Sequence, residues 1–243
     1  MDKGNQQERL QQAASWLRKA KRLVVLTGAG MSTESGIPDF RSKDGWWREI
    51  DPRTVATTDA LAHHYSLFHD FYRRRIEALH TCQPHQGHRI LADWEQRGML
   101  QAIATQNVDG LHQQAGSREV YELHGSIRRI RCVACHQPAD QVAFGQGEPC
   151  RSCGGKLRPD VVLFGEMLPE RVWQQVLDAI RSADLLLVIG SSLQVYPVNQ
   201  LPAMTDGRTV LLNAETTELD HLFDLTLYGK AGGMLGELDR LIH

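Results

Sequence analysis

The sequence predicts an α/β fold: a parallel sheet with helices on both faces, beside a small cysteine-bearing and helical insertion module. Three observations predict it. Short apolar runs alternate with stretches of helical spacing along most of the chain. The first run, LVVLT over residues 23–27, ends on Gly28-Ala29-Gly30. Two segments, 42–83 and 126–156, break that rhythm.

The elements follow in order. Residues 6–20 place Leu10, Ala13, Ala14 and Leu17 at helical spacing. The run at 23–27 has the pattern of a buried parallel strand. Similar runs lie at 101–105, 120–123, 160–164, 185–189, 209–213 and 225–228. Helices are expected over 85–95, over 170–183 behind the start signal Pro169, and over 235–242. The first interrupting segment lacks a buried-strand signal and carries a helical run near 68–79. The expected division is a Rossmann-like domain from 1–41, 84–125 and 157–243, a helical insertion at 42–83, and a cysteine insertion at 126–156.

A chain of 243 residues can bury one large core plus a small insertion. Its 42% hydrophobic content and net charge of −2 exclude a disordered chain and a broadly nucleic-acid-coating surface. The apolar runs are too short to cross a bilayer. The first residues, MDKGNQQERLQQ, are polar and lack a secretory apolar region, so a cytoplasmic protein is expected.

Four of the five cysteines form two Cys-x-x-Cys pairs, Cys132/Cys135 and Cys150/Cys153, about fourteen residues apart. Two such knuckles offer four thiolates in a tetrahedron, a zinc ribbon with no position left open for catalysis. A redox dithiol is the poorer reading, because the pairs are matched. Cys82 reads as a partly buried free thiol. Arg128, Arg129 and Arg131 precede the ribbon, but no aromatic stacking set accompanies them, so no nucleic-acid partner is expected.

Gly28-Ala29-Gly30 after a strand suits a phosphate-binding turn, because glycine lets the backbone approach a diphosphate. Thr33 stands where a third glycine of the dinucleotide fingerprint belongs, and Gly36 comes later. On these residues alone a plain strand-to-helix turn is an equal reading. The continuation decides. Ser35-Gly36-Ile37-Pro38-Asp39-Phe40-Arg41 sets a carboxylate, a ring and a guanidinium side by side, a group able to line a pocket for a flat polar ring such as one bearing a carboxamide.

The whole stretch GAGMSTESGIPDFRS resembles the sirtuin signature. TQNVDGLH, ELHGS, the cysteine pairs, RPDVVLFGE, GSSLQVYPVNQLP and LLNAE follow in order, so the resemblance spans nearly the entire chain. It implies an NAD-dependent protein-lysine deacylase, with NAD consumed as co-substrate and one structural zinc ion. Free lysine, nicotinamide and O-acyl-ADP-ribose are the implied products. The acyl carbonyl oxygen attacks the ribose carbon, an alkylamidate forms, and His124 takes a proton from the ribose hydroxyls. Among eleven histidines, His124 is also favoured by position, since it ends the apolar run VYEL.

The resemblance further assigns Gln106, Asn107 and Asp109 to the nicotinamide ribose and pocket, with Ile37, Asp39, Phe40 and Arg41 beside them. Asp109 reads equally as a structural cap, and His112 reads as structural. Gly28, Ala29 and Gly30 meet the diphosphate. Gly190, Ser191 and Ser192 meet a phosphate and the adenosine ribose. Asn213 and Glu215 take ribose hydroxyls, and Ala231 borders the adenine.

RPDVVLFGE and SSLQVYP are the two implied edges between which an acyl-lysine peptide pairs by strand addition, with Gly165, Glu166 and Val195 as contacts. Ala56, Tyr72 and Arg75 match the positions that succinyl- and malonyl-specific sirtuins use. Tyr72 and Arg75 share a helix face, and an arginine holds a carboxylate bidentately. The competing reading is a solvated run Arg73-Arg74-Arg75 with Tyr72 half buried. Acetyl and acidic acyl groups therefore both stand. Two rival functions use the same residues: mono-ADP-ribosyl transfer, and a non-catalytic NAD-binding scaffold. A monomer without a membrane partner is expected.

Overall fold

The computed structural model describes residues 3–38 and 52–243. Asp39, Phe40 and Arg41 lie outside the described residues. The first half runs α1 (Lys3–Lys19), β1 (Leu23–Thr27), a 3-10 turn (Ala29–Ser35), α2 (Pro52–Val55), α3 (Thr58–His63), α4 (Tyr65–Leu79), α5 (Gln86–Gln96), β2 (Leu100–Thr105), α6 (Leu111–Ala115) and β3 (Val120–Glu122). The small module follows with β4 (Gly125–Cys132), β5 (Pro138–Ala139), α7 (Gln141–Gly145) and β6 (Leu157–Val161). The chain closes with α8 (Glu170–Ser182), β7 (Leu185–Ile189), a second 3-10 turn (Val198–Met204), β8 (Arg208–Asn213), β9 (Leu225–Tyr228) and α9 (Ala231–Ile242).

Six strands pair in the order β3-β2-β1-β7-β8-β9, all parallel. The chain steps outward from β1 to β3, returns across the sheet to β7, and steps outward the other way. That reversal between β1 and β7 is the switch point at whose carboxyl end open parallel sheets bind ligands. The strands are apolar on both faces because both faces are covered. Leu10, Ala13, Ala14 and Leu17 of α1 pack with α5 and α9 on one face. Val176 and Ile180 of α8 pack on the other. Helix α1 also covers the edge strand: Gln6 Nε2 donates to Tyr228 O at 2.6 Å and Arg9 Nη1 to Thr226 O at 3.2 Å.

One strand expectation is corrected. The apolar run at 160–164 is not in the parallel sheet. The strand there, β6, covers Leu157–Val161 and pairs antiparallel with β4, which pairs antiparallel with β5. An apolar run reports that a strand is buried, not which sheet buries it. Here the covering partner is the helical insertion: Phe68, Phe71, Tyr72 and Ile76 of α4 share one core with Ile127, Ile130, Leu157 and Val161. β4 itself escapes a search for apolar runs, since GSIRRIRC buries Ile127 and Ile130 amid three arginines.

Candidate active site

Several of the residues expected at the NAD site stand at the carboxyl ends of the parallel strands, starting with three glycines. Gly28 N donates to Ile189 O at 2.9 Å, and Gly30 N donates to Gly190 O at 2.8 Å. A Cβ on Gly28 would sit 2.7 Å from Gly190 O, and one on Gly30 2.7 Å from Gly190 Cα. Gly190 has φ +62, and a Cβ there would collide with Met31 N. The turns after β1 and β7 thus interlock backbone to backbone at the switch point, which explains these glycines before any ligand is considered.

A connected polar cluster lies beside them. Ser32 Oγ donates to Asp109 Oδ2 at 2.8 Å and accepts from Asn107 Nδ2 at 3.0 Å. Asp109 Oδ1 accepts from Leu111 N at 2.9 Å, so this carboxylate both closes the turn leading into α6 and belongs to the cluster. Burial raises the Asp109 carboxyl above its ordinary range, against the pull of these bonds and of Arg128 and Arg75. Ser32, 1% exposed, joins the β1 turn to the β2 loop, and it is absent from the residues expected on sequence. Its sequence signal is its place inside the GAGMSTESGIPDFRS signature, in the turn that follows a buried strand.

His124 follows β3. Its Nδ1 lies 3.0 Å from Gln106 O, and a carbonyl can only accept, so the Nδ1 carries the proton. Nε2 is then the free base nitrogen. Burial lowers the His124 pKa, which favours the neutral ring. Gly125, with φ +73, is pressed so close to Asp160 O of β6 that a Cβ would overlap it. Gln106 Nε2 donates to Ser191 Oγ at 2.9 Å, and Asn213 Nδ2 donates to Ser191 O at 2.8 Å. The loops after β2, β7 and β8 meet at this one serine. Ser192 and Ile37 are half-buried, Glu215 is exposed, and Ala231 is buried at the start of α9.

On the opposite rim, Phe164 N donates to Ala56 O at 2.9 Å and Thr58 N donates to Phe164 O at 3.1 Å. Gly165 has φ +94, and a Cβ there would meet Thr58 Oγ1 at 2.8 Å. The Glu166 carboxylate turns inward: Arg158 Nη1 and Nη2 donate to it at 2.5 and 3.0 Å, and Leu163 N donates at 2.8 Å. Phe164, Met167, Val195 and Tyr196 are exposed apolar side chains on these two segments.

The arginine run divides. Arg73 pairs with Asp70 and Glu77, and Arg74 pairs with Asp70. Arg75 turns in, its guanidinium 5.5 Å from the Phe71 ring and 5.8 Å from the Tyr72 ring. Tyr72 is fully buried rather than half-buried, and burial pushes its hydroxyl up to about 12. Arg128, Arg129 and Arg131 are likewise engaged, with Asp109 O, Glu122 and Asp160.

In the small module, Cys132, Cys135, Cys150 and Cys153 bring their sulfurs within 4.8 Å of one another. The Cys132–Cys153 and Cys135–Cys150 separations are 3.5 and 3.7 Å. A zinc tetrahedron with bonds of about 2.3 Å has sulfurs about 3.8 Å apart, so the four thiols fit one zinc ion. A Cβ on Gly155 would meet the Cys132 and Cys153 sulfurs at 3.0 and 3.3 Å. The donor set is closed, as a structural site requires. Among the described residues no helix is long and apolar enough to cross a membrane.

Sheet order, a polar site at the switch point and a four-cysteine module define a class: dinucleotide-binding α/β proteins with a structural metal module. The family model described as the Sir2 family matches residues 28–197, and the chain belongs to that family, the sirtuins. It is 52% identical over 230 residues to NAD-dependent protein deacetylase 1 of Geobacillus kaustophilus, covering 93% of this chain and 95% of that one. It is 40% identical over 242 residues to NAD-dependent protein deacylase 2 of Archaeoglobus fulgidus, with 96% and 95% covered. A Sir2 homologue solved as an NAD complex superposes with a TM-score of 0.90 at 38% identity, covering 95% of this chain and 93% of that one.

Proposed function

We propose that the protein removes acyl groups from protein lysines while consuming NAD, releasing nicotinamide and O-acyl-ADP-ribose. The observation that carries the reading is the buried cluster of Ser32, Asn107 and Asp109 at the strand ends, with His124 tied to the same loop through the Gln106 carbonyl.

NAD supplies an electrophilic ribose carbon with nicotinamide as its leaving group. The chain's own residues do the rest. The glycine turns at Gly28–Gly30 and Gly190 leave backbone, not side chains, to face a diphosphate. Asn107, Asp109 and Ser32, with Ile37, form the wall for the carboxamide, and resemblance to the signature assigns Asp39, Phe40 and Arg41 to the same pocket. Gln106 and Asn107 take the nicotinamide ribose. His124 accepts a proton at Nε2 from a ribose hydroxyl, because the Gln106 carbonyl holds its proton on Nδ1. Ser191, Ser192, Asn213, Glu215 and Ala231 hold the adenosine half. Cys132, Cys135, Cys150 and Cys153 hold zinc, which supplies only cross-linking to a module with a small core.

The substrate is an acyl-lysine in an extended peptide, laid between the segment at Gly165 and Glu166 and the segment at Val195. An acidic acyl group, succinyl or malonyl, is favoured over acetyl alone by one observation. The Arg75 guanidinium lies over the Phe71 and Tyr72 rings, on the core that Ala56 borders.

The test is His124→Ala. The variant is expected to fold and bind NAD with deacylation reduced about a thousandfold, the middle of the range for a lost general base. Turnover within tenfold of the parent would remove His124 from the mechanism.

A further inference from the structure

Behind the strand-end cluster lie three histidines that the chemistry above does not use. His85, His88 and His112 form a column, with ring centroids 4.4 and 4.9 Å apart. At one end His85 Nε2 donates to Met31 O at 2.6 Å, while its Nδ1 accepts from Gly87 N at 2.9 Å. At the other end His112 Nε2 lies 3.0 Å from Thr27 Oγ1. His88 and His112 are 0% and 1% exposed, and burial keeps both rings neutral. A neutral ring has one N–H to give. Thr27 Oγ1 donates to Thr105 Oγ1 at 2.8 Å, so its lone pair accepts that N–H from His112 Nε2.

The consequence is topological. Thr27 and Thr105 are register partners at the carboxyl ends of β1 and β2. The loop 106–110, which carries Gln106, Asn107 and Asp109, leaves Thr105 and enters α6, where His112 sits. Asn107 N donates back to Thr105 Oγ1 at 3.0 Å. The path Thr105–Thr27–His112 therefore closes the loop into a ring. Ser32 holds it from the ligand side, and the threonine–histidine staple holds it from behind.

We propose that His112, acting through Thr27, is a positioning residue for the reaction: the staple fixes the loop so that Asn107 and Asp109 stand correctly for nicotinamide. This rests on the pocket assigned above to those two residues. A merely structural staple changes stability and leaves nicotinamide handling alone.

The experiment compares Thr27→Val, which keeps shape and removes the hydroxyl, with Thr27→Ser, which keeps the hydroxyl. For each, KM for NAD, the inhibition constant of nicotinamide, KM for an acyl-lysine peptide and the melting midpoint are measured. Thr27→Val is expected to raise the first two about tenfold, the worth of one buried hydrogen bond. The peptide KM should stay within about twofold, and Thr27→Ser should match the parent throughout. If Thr27→Val moves only the melting midpoint, or if Thr27→Ser is equally impaired, the positioning role is overturned. Should Thr27→Val fail to fold, His112→Leu is read by the same criteria. Asn107→Ala separates the two claims. If nicotinamide inhibition survives it unchanged, the pocket assignment falls and the staple's role with it. If inhibition weakens in Asn107→Ala but not in Thr27→Val, only the staple's role falls.

Discussion

Acid should destabilise this fold through its buried histidines, His88 and His112 above all. Burial, first of all, pushes His88 down to about 2 and His112 to about 3, from an ordinary 6.5. Their folded values lie below their unfolded values. As the pH falls through 6.5 the unfolded chain takes up two protons that the folded chain refuses. The unfolded state then binds more protons, so stability falls with the pH, over a window from about 6.5 down to about 3 for His112 and about 2 for His88. A proton bound by one state and refused by the other is worth about 1.4 kcal/mol for each tenfold rise in acidity. Each ring therefore removes about 2 kcal/mol between pH ~7 and ~5, and the pair about 4. For a chain of this size that lowers the melting midpoint by about 10 °C. The perturbation is His88→Leu, which removes one of the two groups. Urea unfolding followed by circular dichroism, at pH values from about 7 to 5, gives the pH-dependent loss for both proteins. The variant should lose about 2 kcal/mol less than the parent over that range. Equal losses, within about 0.5 kcal/mol, would refute the reasoning, because His88 would then be protonating inside the fold.

Gly125→Ala is expected to cost 3 kcal/mol or more, roughly, since φ is +73 and the new Cβ meets the Asp160 carbonyl. Activity should fall with it, because His124 is the preceding residue; thermal melts and kcat check the two together. Cys153→Ser should reduce bound zinc from one ion per chain to a small fraction, measured by plasma mass spectrometry, and lower the melting midpoint. Arg75→Met should lower kcat/KM on succinyl peptide about a hundredfold or more while the acetyl value changes by less than fivefold, roughly. Equal changes on both peptides would assign Arg75 to packing against Tyr72.

Much of this architecture is legible in patterns that report local burial. The runs at 23–27 and 185–189 coincide with β1 and β7 because strands buried on both faces carry no polar interruption. β4 does not announce itself, since its arginines point to Glu122 and Asp160, partners that only the fold supplies. The run at 160–164 belongs to a different sheet from the one its apolarity suggests, for the same reason: pairing partners are a tertiary property. His124, Asn107 and the four cysteines stand in spacings with a mechanism behind them. Ser32, Thr27 and Arg158 carry no such spacing. Their importance comes from contacts with Asp109, His112 and Glu166, 77, 85 and 8 residues away in the chain. Arg75 cannot be separated from Arg73 and Arg74 by sequence, since only the packing of α4 decides which of three adjacent arginines turns inward.

The central claim is that NAD is cleaved at this site to carry an acyl group from lysine. It is tested most directly by incubating the protein with NAD and an acyl-lysine peptide, then weighing all products by mass spectrometry. The account predicts equal amounts of deacylated peptide, nicotinamide and O-acyl-ADP-ribose, with none formed when either substrate is omitted. ADP-ribose attached to a protein side chain, or peptide deacylated without release of nicotinamide, would contradict it.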